Sequence, residues 1–573
     1  MLDRVAGYSY NIGVALNVII LQSDLINILT LPSLPWTLRV IDFDCNMGYS
    51  LKHVVHVIAM YSFIVLIEYI TFSKQAPSKN VLDDLKEGGP PIVGIATVLT
   101  ILGMTIQLLV LLPVPQIIFN LLGLTFFDAF KKDIRLKNRS LRHESQANDE
   151  HINKLDYSDL STNKYKQNRS ENEATRPTGS EVERNMTECA SNEDSFLIRG
   201  QNHHVCFRVV TRGLYPDLVR RNLSRNLLTC ASSQLKDYSF EIVTDKCLDN
   251  LTTLNDKRIT QIVVPTSYRS STGAMFKARA LQYTLEPGTS RVEGGDYIVH
   301  LDEETILTNN SINGILNFMM NEQHTFGQGL IVYMNDEVVN WFTTLADSFR
   351  VAEDMGKIRF QLSALHKPWF GWKGSYVVTR CEAERDVSFD HGPDGSIAED
   401  CYFSMIALAK GYSFDFIEGE MLEKSPFSIT DAIKQRKRWV QGFWLVVHSP
   451  KIPIRAKFFL AMSCYAWASL PLSTLSYLIT AIFPIPSSPW LVSISTFCFA
   501  VSLYMYMFGL LKSFDLRDSV SKKMLLVFML GQVSTLFLNI VVENIAVVWG
   551  LLTPKHQFYI VAKDNGHKID LEV

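Results

Sequence analysis

Apolar stretches long enough to cross a bilayer stand near both ends of this chain, and a long polar region separates them. Inside hydrocarbon a backbone must satisfy its own hydrogen bonds, so each such stretch can only be helical or part of a closed barrel. About 20 apolar residues span the core as a helix. Before the polar region, three stretches qualify: 12–31, interrupted by Asp24; 54–72, carrying Glu68; and 92–112, which has no charge. The third continues through Val114 and Pro115 to Phe130, and the proline-containing continuation is expected to turn into an interfacial helix. After the polar region come 458–484, 490–511 and 525–552. The last contains Asn539, Glu543 and Asn544, which leaves open a kinked helix, a re-entrant pair, or a crossing followed by an interfacial stretch. Residues 1–31 lack a small-residue cleavage site, so they read as a retained anchor.

Size and composition narrow the rest. A chain of 573 residues exceeds one ordinary core, so a large soluble domain is expected beside the helices. The net charge of -3 gives no basic field for nucleic acid. Nine cysteines are scattered singly, as reduced thiols facing the cytosol would be. Basic residues gather just after the third apolar stretch (Lys131, Lys132, Arg135, Lys137) and just before the fourth (Lys451, Arg455, Lys457), which assigns the central region to the cytosolic side. Six glycosylation sequons, at Asn138, Asn168, Asn185, Asn222, Asn250 and Asn309, then read as chance. The expected organisation is N-terminal membrane and interfacial helices (1–130), a disordered polar insertion (135–202), a catalytic domain (203–450), C-terminal membrane helices (456–553) and a tail (554–573). Low hydrophobicity is the reason the insertion is expected not to fold.

In the central region, β-branched runs at 205–211, 240–245, 261–265, 296–301 and 374–378 alternate with helical stretches. That alternation predicts an α/β, Rossmann-type domain of parallel units, with ligands at the strand ends. Thr211, Arg212 and Asp245 end the first two strands, where the base and ribose of a nucleotide would sit. Lys277 and Arg279 open a helical run over 276–285; they are placed to approach a diphosphate, and a solvated basic helix start is the equal alternative. A G-x-x-x-x-G-K-[ST] loop is absent, which argues against a P-loop NTPase.

Three charged clusters follow in order. Asp302 and Glu304, two residues apart at a strand end, offer hard oxygen ligands for Mg²⁺ or Mn²⁺ against phosphates; a solvated acidic turn is the plainer alternative. Glu399 and Asp400 open a helix, where a carboxylate caps the N-terminus or, as Asp400, serves as a general base. Gln435, Arg436, Lys437, Arg438 and Trp439 form a basic-aromatic run beside the fourth apolar stretch. It suits a membrane-surface helix, and Arg438 can also stabilise a departing diphosphate. Trp369, Phe370 and Trp372 are open to sugar stacking or to the core.

Together, Thr211-Arg212-Gly213, Asp245, Lys277-Ala278-Arg279, Asp302-x-Glu304, Glu399-Asp400 and Gln435-x-x-Arg438-Trp439 resemble the membrane-embedded family-2 glycosyltransferases, which include cellulose, chitin and hyaluronan synthases. Two positions depart from the family pattern: Glu304 stands where Asp is usual, and Ala398 where Thr commonly precedes the Glu-Asp pair. The runs 208–213, 300–305, 341–350, 416–421 and 435–439 resemble the invertebrate β-1,4-mannosyltransferase branch more closely. The resemblance implies a GT-A-like domain, a divalent metal, GDP-mannose as donor and glucosylceramide as membrane acceptor, in the ER or Golgi. It also implies the roles: Thr211, Arg212 and Asp245 on the nucleoside, Lys277 and Arg279 on phosphate, Asp302 and Glu304 on metal. Asp400 with Glu399 would supply the base, and Gln435, Arg438 and Trp439 would meet the leaving group and acceptor. A processive polysaccharide synthase and a non-enzymatic membrane transporter or scaffold are the alternatives.

Overall fold

The protein's structure, a computed structural model, describes residues 49–73, 90–131, 133–137, 203–333, 338–482, 485–515 and 522–563. The apolar stretch at 12–31 and residues 138–202 of the polar insertion lie outside them. Among the described residues, four helical runs are long and apolar enough to cross a membrane: Leu51–Ser73, Thr100–Phe126, Pro489–Phe514 and Lys523–Leu552. A fifth, Ile454–Ala468 with Leu470–Thr480, is bent by 45°.

On the N-terminal side the helices are α1 (Leu51–Ser73), α2 (Pro90–Gln107) and α3 (Val114–Phe126). A short 3₁₀ turn, Leu108–Leu111, joins α2 to α3. The chain therefore continues past Pro113 and Pro115 as one apolar run. Proline is tolerated in the first turn of α3, where a backbone donor has no helical partner to lose. Beyond α3, the Ile134 and Lys137 amides bond to Asn310 and Asn317, so the chain start next to the insertion is held against the catalytic domain.

That domain alternates β1 (Val205–Thr211), α4 (Pro216–Ala231), β2 (Tyr238–Thr244), β3 (Ile259–Val263), α5 (Phe276–Leu285), β4 (Tyr297–Asp302), α6 (Asn309–Asn321) and β5 (Phe326–Val332). It continues with α7 (Trp341–Glu353), β6 (Val377–Arg380), α8 (Glu399–Lys410), β7 (Phe414–Leu422) and α9 (Ile429–His448). The strands form one sheet in the order β3-β2-β1-β4-β6-β5-β7. The pairs β1-β2, β1-β4, β2-β3 and β5-β7 are parallel, as the alternation predicts. β6 departs from that pattern and runs antiparallel to both β4 and β5, so the sheet is mixed.

Burial is unbroken along β5 and interrupted only at Val210 of β1 and Ser239 of β2, as a sheet covered on both faces requires. Arg208 on β1 is fully buried and satisfied by Glu241 at 2.8 Å and Glu384 at 3.0 Å. His300 on β4 also reaches Glu384, at 2.7 Å.

The C-terminal helices are α10 (Ile454–Ala468), α11 (Leu470–Ile482), α12 (Pro489–Asp515) and α13 (Lys522–Leu552). Of the forms left open for the last apolar stretch, the structure has one unbroken helix. Two features dock the helices on the catalytic domain. α7 runs into a π turn, Asp354–Ile358, whose Lys357 amide donates to Asn120 of α3 at 2.8 Å. There α3 packs backbone to backbone, since a Cβ on Gly123 would meet the Gly356 carbonyl oxygen at 2.0 Å. On the other side, Arg436 of α9 pairs with Glu543 of α13 at 2.6 Å.

Candidate active site

The twelve residues to which the resemblance assigns site roles line one cavity of about 1530 Å³. They are Thr211, Arg212, Asp245, Lys277, Arg279, Asp302, Glu304, Glu399, Asp400, Gln435, Arg438 and Trp439. The same cavity continues between the membrane helices, past Gln116, Ser463, Thr474 and Glu543.

Parallel pairing brings the first group together. Val210 on β1 is in register with Asp302 on β4, so the strand ends carry Thr211 beside the acidic turn. The Thr211 hydroxyl donates to Glu303, and the Gly213 amide donates back to Thr211 at 3.0 Å. Glu303 faces inward, and its burial raises its carboxyl above the usual range. At the end of β2, Asp245 accepts from Arg279 at 2.7 Å, and Arg212 lies 3.8 Å away.

α5 begins at Phe276, whose φ of 52° is a left-handed conformation that costs a non-glycine residue about 1–2 kcal/mol. The next residue, Lys277, joins two of the charged clusters. Its ammonium lies 2.7 Å from Asp302 and 3.8 Å from Glu399, and donates to the Gly374 carbonyl at 3.1 Å. Burial alone would raise Asp302, but Lys277 and Lys563 outweigh it and hold the carboxyl at about 2.

Glu304 is bonded instead by Lys563. Among the described residues no three His, Cys, Asp or Glu side chains are grouped to hold a metal. The donor set fits a hard cation only as two carboxylates completed by a ligand's phosphates, the usual manner for Mg²⁺.

Glu399 and Asp400 start α8, whose N-cap is Ala398 with no side-chain cap. Asp400 occupies the first turn and accepts from the Cys401 amide at 2.7 Å. One of its oxygens sits against Gly374, where a Cβ would come within 3.0 Å. Burial, with Asp400 next to it, pushes Glu399 up to about 7. Asp400 is also raised by burial, against the Cys401 amide and Lys277.

Ser428 caps the start of α9 and accepts from the Asp431 amide at 3.1 Å. Spacing of three and four residues puts Gln435, Arg438 and Trp439 on one face. Gln435 Oε1 and Arg438 Nε are buried without a hydrogen-bond partner among the described residues, as groups awaiting a ligand would be. Arg436 turns instead to Asp347 and Glu543. Of the aromatic trio, Trp372 is core, stacked on Phe403, while Trp369 and Phe370 pack with Phe459 of α10.

Several cavity residues carry no local sequence signal. The segment after α13 lines the cavity: Phe558 stacks on Phe276 at 4.8 Å, and the Arg438 guanidinium lies 4.4 Å from the Phe558 ring. Tyr559 donates to Asp431 at 2.5 Å, and Lys563 reaches Glu304. Glu423 at the end of β7 accepts from Thr305 and Ser375, both at 2.7 Å, and burial pushes it up to about 7. Both hydroxyls in turn accept from the Asp302 amide, at 3.2 and 3.3 Å. The one available clue to the tail was its apolar run Phe558-Tyr559-Ile560-Val561-Ala562 ending in Lys563, just beyond the last membrane segment.

Residues 297–512 match the family model described as Glycosyl transferase family group 2, which sets the class of enzyme. The chain is 43% identical over 521 residues to Beta-1,4-mannosyltransferase egh of Drosophila melanogaster, covering 90% of this chain and 98% of that one. It is 42% identical over 518 residues to Beta-1,4-mannosyltransferase bre-3 of Caenorhabditis elegans, covering 90% and 99%. The chain belongs to this β-1,4-mannosyltransferase family of glycosyltransferases.

Solved structures are more distant. The mannosyltransferase PcManGT from Pyrobaculum calidifontis, in complex with GDP-Man and Mn²⁺, matches with a TM-score of 0.35 at 16% identity, over 53% of this chain and 87% of that one. TarS 1-349 of S. aureus matches with a TM-score of 0.29 at 9% identity, over 63% and 97%. Likenesses at this level carry no argument about the site.

Proposed function

We propose that this protein transfers mannose from GDP-mannose to glucosylceramide with inversion, forming a Manβ1,4Glc-ceramide at the membrane surface. The observation that carries the reading is the single cavity that holds all twelve polar candidates and runs on between the membrane helices. A soluble donor enters such a space from the domain side, and a lipid acceptor from the bilayer. The family relatives, named as β-1,4-mannosyltransferases, support the sugar and the linkage.

Asp245, Thr211 and Arg212 would hold the nucleoside, and Lys277 and Arg279 the diphosphate. Asp302 and Glu304 would hold a divalent cation, Mg²⁺ or Mn²⁺, which when bound neutralises charge on the diphosphate. Asp400 takes the proton from the acceptor hydroxyl as its oxygen attacks the anomeric carbon and the bond to the diphosphate breaks. A base of this kind contributes about 10²–10⁴ in rate. Arg438, whose Nε lacks a partner, meets the charge that develops on the leaving group. Gln435 and Trp439 line the acceptor side. Basic residues beside the apolar segments support a cytosol-facing domain in a multi-pass protein; an ER or Golgi membrane is what the family resemblance implies.

The test is a donor panel on detergent-purified full chain with glucosylceramide, reading nucleotide release and lipid product. The expected result is GDP release and a single mannose added only from GDP-mannose. A polymeric product, or product from another donor alone, would overturn the reading.

A further inference from the structure

Beside the proposed base, the cavity wall carries four charged side chains that the transfer chemistry leaves unused, two of them (Asp354 and Lys357) buried. Asp354 opens the π turn after α7 and is fully buried; its Oδ2 accepts from Lys373 at 2.6 Å. Its Oδ1 is buried and has no hydrogen-bond partner among the described residues. One residue earlier in α7, Glu353 accepts from Lys357 at 2.7 Å. All four side chains line the cavity. Lys373 immediately precedes Gly374, against which the Asp400 carboxylate lies, so the patch adjoins the reacting centre.

A buried carboxylate oxygen without a donor is costly, and structures with such a group require an explanation. A bound hydroxyl supplies one. It donates to Asp354 Oδ1 and accepts from Lys373, whose side chain keeps 22% of its surface exposed to the cavity. The charges on the patch also select the ligand. Two ammonium groups face two carboxylates, and the next cations, Arg350 and Arg436, are matched by Asp347, which both approach, and by Glu543, which Arg436 reaches at 2.6 Å. A phosphate placed here would meet two carboxylates with no spare cation. A neutral polyol can both donate to the carboxylates and accept from the ammonium groups.

We propose that Asp354 and Lys373, backed by the Glu353–Lys357 pair, form a subsite that binds hydroxyls of an uncharged sugar ring on the acceptor. The proposal rests on the reading of Asp400 as base and of the acceptor as a membrane glycolipid. It goes further in excluding an acceptor that presents a phosphate at this position.

The test uses full-length enzyme in detergent with GDP-mannose. Asp354→Asn and Lys373→Met are compared with wild type on glucosylceramide. The wild type is also given glucosylceramides lacking one hydroxyl other than the attacked one. A charged hydrogen bond lost corresponds to about 10- to 100-fold, so the acceptor KM should rise by that factor in both variants while the donor KM stays within twofold. One deoxy acceptor should show the same penalty on wild type and no further penalty on Asp354→Asn. Wild-type acceptor KM in both variants, or a deoxy series that all matches the parent, overturns the subsite. If the variants do not fold, the deoxy series on unaltered enzyme decides alone. Transfer to a polyprenyl phosphate but not to glucosylceramide would overturn the glycolipid reading itself. Normal transfer with a flat deoxy series would sink only the subsite.

Discussion

Lys277 Nζ lies 2.7 Å from Asp302 Oδ1. The cation proposed for the diphosphate and the carboxylate proposed for the metal are thus already partners. Binding of donor with its metal has to exchange this pair for two others: Lys277 with phosphate, and Asp302 with the cation. In Lys277→Met, Asp302 is free to take a cation before the donor arrives. Binding of Mn²⁺ to donor-free protein, followed by titration calorimetry, should tighten by about tenfold. The kcat/KM for GDP-mannose should fall by about 10²-fold, as expected when a charged hydrogen bond to the substrate is lost. Unchanged Mn²⁺ binding would show that the ion pair does not compete with metal.

The carboxylates at the start of α8 predict a pH dependence. Burial, with Asp400 adjacent, raises Glu399 to about 7, and burial also raises Asp400. The Asp400 charge repels a charge on Glu399, so the two carboxylates titrate as a pair. A base acts when deprotonated, so transfer at saturating substrate should climb with pH up to about 7 and level off above it. Asp400→Asn should lower kcat by about 10³-fold, within the range for loss of a general base. Glu399→Gln leaves Asp400 to titrate alone and should move the inflection to lower pH. A pH–rate curve in Glu399→Gln that overlies wild type would rule out the coupling.

Local pattern carried much of this geometry. The run 205–211 is β1 and the run 276–285 is α5, because alternation, apolar spacing and flanking turns act within a few residues. β5 and β7 were not legible for physical reasons. β5 contains Gly327 and Gly329, which weaken a strand pattern but give Ile417 and Tyr376 room to pack. β7 carries Asp415, Glu418, Gly419 and Glu420, and its register with β5 shifts between Gly329 and Leu330. The cavity's least visible groups are those whose meaning comes from distant partners. Asp354 acquires Lys373 only through the π turn, and Lys563 meets Glu304 across 259 residues of chain.

The tail contact sets up a second exchange at the acidic turn. Lys563 bonds Glu304 and lies 3.8 Å from Glu303, while Phe558 is held between Phe276 and Arg438. Donor binding that engages Glu304 and Arg438 has to release both ends of this segment or share them. Lys563→Ala should therefore change donor KM by at least threefold, while truncation after Thr553 should lower kcat by about 10-fold or more through exposure of the site to water. Accessibility of the tail to limited proteolysis, with and without GDP, checks the same point. Equal cleavage in both states would disprove the coupling of tail and donor.

The buried Arg208 network supplies a stability prediction independent of catalysis. Glu384 is fully buried and accepts from both Arg208 and His300. Burial would raise its carboxyl, but His300 and Arg208 outweigh burial and bring it down to about 2 from an ordinary 4.5. A depressed folded value means the stabilisation is present above the unfolded value and is lost as pH falls through the folded one. The network's contribution should thus be intact above about pH 4.5 and decline from there toward pH 2. Glu384→Gln leaves Arg208 short of one buried charge partner, and breaking such a pair costs about 3–5 kcal/mol. Thermal unfolding in detergent should show the full loss of Tm at pH 7 and a shrinking difference from wild type as the pH is taken below 4.5. A deficit that stays constant down to the acid limit would mean that packing of the side chain, and not its charge, stabilises the sheet at this point.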